Sequence, residues 1–320
     1  MKRLFSILSL SLFFCIISSQ KVDAQALTVS ICPPILEVQT IPPSSPTAPI
    51  TIQNLGETDI ALLIQLIPLK MNPNGTGDVL FFPEALNQGF YGYYKGRIQF
   101  LVDDVKTEKV TLQAQESKQV TLNINLKKGD PPGDYYYGIV FLSEGKTLED
   151  TSLTSLPAGI STNLLLSVGP KKPSVGGITE FSTSAFKNNR PVEFTLKLHN
   201  GSEHLISPTG KVSINNMLGK KVASIDILPQ YILAQSDRYL INQSSSTSAT
   251  LSTNETPKVI WNEKFLLGFY TATANIRLEE NGNILTEKTY FFAFPIYLFF
   301  GVAIVFFVLA GIYLRVKKKM

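Results

Sequence analysis

The chain is poor in the residues that most often form covalent cross-links, metal sites and catalytic centres. Its 320 residues include two cysteines, two histidines and one tryptophan. Cys15 lies in an N-terminal apolar run that we expect to be removed, so Cys32 has no partner for an intrachain disulfide. We expect Cys32 to be a small buried residue near the first strand. With so few candidates, and with no G-x-S-x-G motif, the sequence predicts neither an enzyme nor a metal or cofactor site.

The chain also lacks a surplus of positive charge outside its two ends. The formal net charge is +4, but Lys2 and Arg3 open the chain and four basic residues lie in the segment 315–320. Without these residues, the segment 27–314 carries a net charge of about −2. The composition therefore gives no support to nucleic-acid binding.

The N-terminus has the three parts of a secretory signal peptide. A basic start is followed by an apolar run from Leu4 to Ile17, and then by Ala24-Gln25-Ala26, a small-x-small pattern that a signal peptidase cuts. We expect residues 1–26 to be removed and the mature chain to be exported.

The last apolar run is long enough for one membrane crossing. Pro295 to Leu314 has no charged residue, and its length is about what a helix needs to cross a hydrocarbon core of roughly 30 Å. Basic residues follow at once, which predicts a cytoplasmic C-terminus by the positive-inside rule. We expect a single transmembrane helix at 291–314, a basic tail at 315–320 and an ectodomain outside the cell membrane. The alternative is a buried core helix that ends in a basic tail.

Between these ends, the sequence has short runs that alternate at period two and no long segment of helical period. In Val120–Leu126, every second residue is apolar, which is the pattern of a half-buried strand. Such runs, separated by Asn, Gly and Pro turns, predict an all-β protein of antiparallel β-sandwiches. The segment Gly169–Ser174 combines turn-forming residues with two lysines and predicts a linker. We therefore expect β-sandwich domains at 27–170 and 171–290, each of immunoglobulin-like size.

An internal repeat supports two tandem domains of the same kind. A strand leads into Gln53–Glu57 near the start of the first half and into His199–Glu203 near the start of the second, with Asn and Glu at the same spacing. Near the end of each half, Gly133–Tyr135 and Gly268–Tyr270 open a strand with the pattern G-x-Y. A glycine turn followed by a half-buried tyrosine, whose hydroxyl bonds to the backbone, is typical of a sandwich corner.

Both histidines lie in the stretch LHNGSEHLISPTG, with Glu203 between them. A zinc site needs three or four converging ligands, and the mature chain offers few others. Side chains alternate across a strand, so His199 and His204 share a face only if a loop turns the chain between them. We expect Asn200 and Gly201 to begin a strand connection, with the histidines half-buried beside it, rather than a metal site.

The residues around the histidines resemble a known family. The run HNGSEHLISPTGKVSI at 199–214, with ILPQ at 227–230 and Asp237-Arg238, resembles the second sandwich of membrane-anchored bacterial surface proteins, and the run at 107–142 resembles its companion domain. The chain is similar to the WxL-interacting proteins of Gram-positive bacteria and to related PapD-like, pilus-chaperone-like domains. The resemblance implies two PapD-like sandwiches, the first implicated in peptidoglycan binding and the second in partner or host binding. It covers turn and core motifs, and no binding residue of the family is matched.

The segment Phe81–Phe100 is denser in aromatic residues than its surroundings. Its glycines predict a loop rather than a regular strand. Exposed rings stack on sugar faces, whereas buried rings pack a core, and both interpretations stay open. We name the candidate ligand-binding residues as Phe90, Tyr91, Tyr93 and Tyr94.

Taken together, these features predict a bacterial single-pass cell-surface protein that is not an enzyme. We expect an adhesion or scaffold protein that contacts cell-wall glycan or another surface protein. The alternative is a membrane-tethered, chaperone-like accessory subunit that binds a protein partner by β-strand addition.

Overall fold

A computed structural model of the chain describes residues 28–87, 89–143, 159–188, 191–248, 256–263, 265–280 and 282–317. The predicted signal peptide at 1–26 and the last three residues of the predicted basic tail lie outside these ranges. The described residues form four β-sheets, packed in pairs around two apolar cores. The prediction of a mostly β protein built of β-sandwiches is confirmed.

The first sandwich packs a five-stranded sheet against a six-stranded sheet. Its strands are β1 Val29–Cys32, β2 Ile35–Thr40, β3 Thr47–Asn54, β4 Ile60–Met71, β5 Val79–Phe81, β6 Ile98–Val102, β7 Val105–Lys106, β8 Lys109–Leu112, β9 Ser117–Ile124, β10 Gly133–Ser143 and β11 Gly159–Val168. One sheet has the order β1-β3-β9-β6-β7; the other has the order β2-β11-β10-β4-β5, with β8 also paired to β4. As the period-two pattern predicts, Val120, Leu122 and Ile124 of β9 all face the core.

The aromatic segment between β5 and β6 is mostly helical, so the predicted loop is wrong. Pro83–Asn87 forms a 3-10 helix and Gly89–Lys95 forms the short helix α1. Gly89 begins this helix with φ 52° and Gly96 follows its last residue, so two of the glycines lie at helix ends, where glycine is common.

Cys32 is exposed, which corrects the expectation that it is buried. It is the last residue of β1, where Val29 and Ile31 are the partly buried residues that pack against the core. Because side chains alternate along a strand, Cys32 points to the opposite face.

The second sandwich packs a sheet of four strands against one of five. Its elements are β12 Gly176–Ser182, β13 Phe186–Lys187, β14 Val192–Asn200, β15 Thr209–Asn216, β16 Lys221–Asp226, β17 Ser236–Tyr239, helix α2 Gln243–Ser248, β18 Val259–Trp261, β19 Gly268–Arg277 and β20 Ile284–Ala293. One sheet has the order β12-β14-β17, with β18 also paired to β14; the other has the order β13-β20-β19-β15-β16. The segment 169–175 connects β11 to β12.

The C-terminal helix α3, Ile296–Lys317, begins shortly after β20. Phe291 and Ala293 are buried in the core of the second sandwich, so the first residues of the predicted span belong to a strand instead. Among the residues that the structure describes, no helix is both long and apolar enough to cross a membrane. The span at 291–314 stays a prediction from the sequence.

The two sandwiches contact each other through a small apolar cluster. It contains Leu69, Met71, Tyr136 and Leu165 of the first sandwich and Leu205 and Leu233 of the second. Two hydrogen bonds cross the same contact: the amide of Leu205 donates to Asp134 Oδ2 at 2.6 Å, and the amide of Ala234 donates to the Tyr136 hydroxyl at 3.2 Å. Apolar and polar contacts together therefore join the sandwiches.

Candidate functional site

Each histidine is half-buried, as the sequence predicts, and each also lies within hydrogen-bond distance of a neighbouring side chain. His199 is the next-to-last residue of β14, and its Nδ1 lies 2.7 Å from Asp237 Oδ1 on β17. His204 lies in the loop before β15, with Nε2 3.1 Å from the hydroxyl of Ser174. Among the described residues, no group of three or more His, Cys, Asp and Glu side chains is placed to hold a metal ion. The two rings therefore have separate structural partners.

We expect the double variant His199→Ala/His204→Ala to keep the fold, because both rings are partly exposed and each makes one polar contact. The free energy of unfolding should change by less than about 1 kcal/mol per site. Thermal unfolding followed by circular dichroism measures this change, and elemental analysis of the purified parent measures bound metal. About one equivalent of zinc in the parent that disappears in the double variant would contradict this assignment.

The four aromatic candidates on α1 have different environments. Tyr94 is fully buried, and its hydroxyl donates to the carbonyl of Pro131 at 2.6 Å. Tyr91 is partly buried and packs edge-on against Tyr137, with the ring centroids 5.4 Å apart. Phe90 and Tyr93 are 58% and 41% exposed. The rings available to a ligand in solution are therefore those of Phe90 and Tyr93.

Tyr93 belongs to a polar cluster around the buried carboxylate of Asp130. The Tyr93 hydroxyl donates to Asp130 Oδ1 at 2.5 Å, Arg97 Nη2 lies 3.0 Å from the same oxygen, and the amide of Lys127 donates to Oδ2 at 2.9 Å. The Arg97 guanidinium also lies 4.9 Å from the centroid of the Tyr93 ring. Burial raises the pKa of Asp130, but these hydrogen bonds and the Arg97 charge outweigh it and hold the pKa below its usual value.

The lowered pKa predicts that Asp130 stabilises the fold at neutral pH and loses this effect in acid. Its contribution is present above the pKa of the unfolded chain, about 3.9, and disappears as the pH falls through the lower folded-state pKa. We expect Asp130→Asn to melt below the parent at neutral pH, with a gap that closes in strong acid. Thermal unfolding across this range, with the exposed Asp104→Asn as control, measures the gap. A gap that stays constant into strong acid would count against the assignment.

A cavity of about 470 Å³ opens in the first sandwich between β4 and β6, which belong to different sheets. Its floor is apolar, since Ile64, Leu66, Ile98 and Phe100 are buried core residues. The volume lies in the range of typical ligand pockets. We call this site the β4–β6 groove, and its lining consists of Leu63–Ile67, Pro83, Leu86, Lys95, Gly96, Ile98–Phe100 and Lys106–Glu108.

Where strand β4 borders the groove, one of its two sides has no pairing strand among the described residues. On one side it pairs with β10 over most of its length. On the other side, the strands that the structure describes pair with it only near its ends: β8 at Ile60–Leu63 and β5 at Leu69–Met71. The middle of this side therefore forms an open sheet edge.

The backbone groups of Leu66 point into this opening. The amide of Ile64 donates to the carbonyl of Glu108 at 2.7 Å, and the carbonyl of Pro68 accepts from the amide of Phe82 at 3.0 Å. Both residues thus direct their backbone to the groove side. Because backbone direction alternates along a strand, Leu66 between them directs its N–H and C=O to the same side.

The same argument applies to Ile98 on the opposite wall. Ile98 pairs with Ile124 of β9. The amide of Ile124 donates to the carbonyl of Pro46 at 3.0 Å, on the side of β9 that faces away from β6. The backbone N–H and C=O of Ile98 therefore point away from β9. On the same side of β6, the carbonyl of Phe100 accepts from the amide of Thr107 at 3.0 Å. In the described part of the chain, no strand pairs with the outward groups of Leu66 or Ile98. Backbone N–H and C=O groups from both sheets therefore border the same apolar cavity.

The rim of the groove is charged. Lys95 at the end of α1 and Lys106 on β7 are exposed, as is Glu108. The apolar cavity is therefore bordered by two positive charges and one negative charge.

Comparison with solved structures finds fimbrial chaperones of similar architecture. The class 5 fimbriae chaperone CfaA has a TM-score of 0.38 and 14% identity, and the match covers 82% of this chain and 98% of that one. The Escherichia coli chaperone DraB has a TM-score of 0.34 and 12% identity, with coverage of 82% and 98%. The CsuC–CsuE chaperone-adhesin complex of Acinetobacter baumannii gives 0.33 and 13%, with coverage of 66% and 89%. No protein-family model and no curated protein sequence matches the chain.

Proposed function

We propose that the chain is a non-catalytic binding protein whose first sandwich takes up an extended segment of a partner protein in the β4–β6 groove. The observation that carries this proposal is the outward backbone of Leu66 and Ile98, with which no strand in the described ranges pairs, beside an apolar cavity of about 470 Å³. An added strand is held by backbone hydrogen bonds, and a pocket for one side chain gives specificity. The rim residues Lys95 and Lys106 favour an acidic residue next to the apolar one.

We expect Gly96→Trp to weaken peptide binding at least about tenfold, which corresponds to about 1.4 kcal/mol. Gly96 lines the groove and is exposed. Within 4 Å, a Cβ added there meets only the carbonyl of Tyr93, at 3.6 Å, so a side chain can start from this position, and we expect an indole there to cover part of the groove. Peptides selected from a displayed library on the purified full chain serve as probes, and calorimetry measures their affinity for parent and variant.

Gly177→Trp is the matched control. Gly177 lies on β12 of the second sandwich, and a Cβ added there meets no atom within 4 Å. Both variants should keep the melting temperature of the parent, and only Gly96→Trp should lose affinity. Equal affinity of both variants, or a failure to select any peptide with alternating apolar residues, would reject the groove as the binding site.

A second candidate function is the binding of cell-wall glycan by α1. The observation that favours it is the exposure of the Phe90 and Tyr93 rings, since aromatic faces stack on sugars. Neither residue lines the groove, so Phe90→Ala and Tyr93→Ala separate the two functions. Loss of binding to purified wall fragments in these variants supports the glycan function. A parent that binds no wall fragments excludes it.

The location of the chain is a further part of the proposal. From the sequence we propose that residues 295–314 anchor an exported ectodomain to the cell membrane, with the basic end in the cytoplasm. This proposal rests on the apolar run and the basic residues that follow it. Alkaline extraction of cell membranes tests the anchoring, and protease protection of a C-terminal tag tests the orientation. Full release of the chain by alkali would contradict it.

A further inference from the structure

The end of the second sandwich from which α3 departs carries an exposed apolar surface. Met217 and Leu218, 68% and 83% exposed, form the turn between β15 and β16. Phe269 at the start of β19 is 65% exposed. We call this surface the C-terminal apolar face, and its residues are Phe186, Met217, Leu218, Phe265, Leu267 and Phe269.

Phe186, Phe269 and Met217 of this face lie beside one another. Phe186 and Phe269 are register partners of Phe292 on either side of it, with ring centroids at 6.1 Å and 4.7 Å from the Phe292 ring. A Cβ added at Gly268 would lie 3.3 Å from the sulfur of Met217, so the turn packs beside the aromatic row. Large contiguous apolar patches of this kind mark interaction surfaces.

Two neighbouring features indicate which surface covers the patch. Helix α3 begins three residues after β20, and its apolar residues, such as Ile304, Phe307 and Leu309, are exposed. Exposed apolar side chains such as these favour an apolar environment around them. Lys220 and Lys221 follow the apolar turn and are exposed, and such lysines interact favourably with anionic lipid headgroups.

We propose that the C-terminal apolar face rests on a lipid bilayer at the level of the headgroups. This inference builds on the proposed membrane location and adds the face by which the second sandwich contacts the lipid. Phenylalanine and leucine side chains on a surface that lies on a membrane are buried at the boundary of headgroups and acyl chains. The Met217–Leu218 turn belongs there and not in the hydrocarbon core, because a turn has backbone groups that require water or headgroup partners. Lys220 and Lys221 then lie close to the anionic headgroups.

Quenching by brominated lipids tests the contact. The full chain is reconstituted into vesicles of phosphatidylglycerol and phosphatidylcholine, with and without bromine in the acyl chains near the headgroup. The parent, whose Trp261 is buried, provides the baseline signal. We expect the tryptophan of Leu218→Trp to lose about half of its fluorescence in brominated vesicles, as a residue at the boundary of headgroups and acyl chains should.

Val105→Trp is the control, because Val105 is exposed on β7 of the first sandwich. Its added fluorescence should be the same in both kinds of vesicle. If the chain sediments with vesicles but Leu218→Trp is quenched no more than Val105→Trp, the inference about the face is wrong and the membrane location stands. If the full chain does not associate with vesicles at all, both proposals fail.

Discussion

Replacing Asn200 with alanine is expected to lower the free energy of unfolding by about 3 kcal/mol, because the side chain satisfies several buried backbone groups at once. Asn200 is fully buried at the end of β14. Its Nδ2 lies 2.9 Å, 3.1 Å and 2.9 Å from the carbonyl oxygens of His204, Ile232 and Leu233, and its Oδ1 accepts the amide of Ser202 at 2.9 Å. Alanine removes all four of these bonds; the carbonyls of Ile232 and Leu233 keep the Ile206 amide and the Ser236 hydroxyl, whereas the His204 carbonyl and the Ser202 amide lose the bond that Asn200 makes to them.

Calorimetry of the full chain measures this loss as a fall in the melting temperature of the second sandwich. Asn125→Ala provides the control, because Asn125 is exposed just after β9 and its replacement should change stability by less than about 0.5 kcal/mol. A loss at Asn200 no larger than at Asn125 would mean that the buried amide does not hold the turn together.

The corresponding residue of the first sandwich shows how much of this turn could be predicted. Asn54 is also buried at the end of a strand. Its Nδ2 donates to the carbonyl oxygens of Thr58 and Gln113, both at 2.8 Å, and its Oδ1 accepts the amide of Gly56 at 2.9 Å. The repeated spacing of Asn and Glu therefore identified a structural turn in both halves. This turn could be predicted because most of the residues that form it are close together in the sequence.

The sandwich corners were predictable for the same reason. Gly133 and Gly268 open β10 and β19 with φ of 147° and 102°, a region that favours glycine. The hydroxyl of Tyr135 donates to the carbonyl of Pro131 at 3.4 Å, and that of Tyr270 donates to the carbonyl of Leu267 at 3.2 Å. The predicted bond from each tyrosine hydroxyl to the backbone is confirmed.

The β4–β6 groove could not be predicted, because it depends on where distant strands stop pairing. The sequence of β4 is an apolar run, and its alternation shows which residues are buried. It does not show that β8 and β5 pair only near the two ends of the strand. Pro68 is the one local signal, since a proline in a strand indicates an edge. The aromatic helix was missed because its helical stretch is too short for the period to be recognised.

Replacing Tyr94 with alanine is expected to cost about 3–5 kcal/mol of stability, as for other buried aromatic residues. The ring has no exposed surface, and its centroid lies 4.2 Å from that of Tyr135. Its hydroxyl bonds to Pro131, and burial raises its pKa well above the usual value. Alanine therefore leaves a cavity in the core and removes the shorter of the two tyrosine hydrogen bonds to the Pro131 carbonyl. Thermal and denaturant unfolding measure the loss.

Phe90→Ala is the control for Tyr94→Ala, because Phe90 lies on the same short helix and is mostly exposed. Its removal should change stability by less than about 1 kcal/mol. Loss of wall binding in Phe90→Ala, with an unchanged melting temperature, would then report a lost ligand contact. The same loss in Tyr94→Ala, accompanied by a lower melting temperature, would report a damaged core. A Tyr94→Ala variant as stable as the parent would contradict the buried placement of this ring and reopen Tyr94 as a ligand-binding residue.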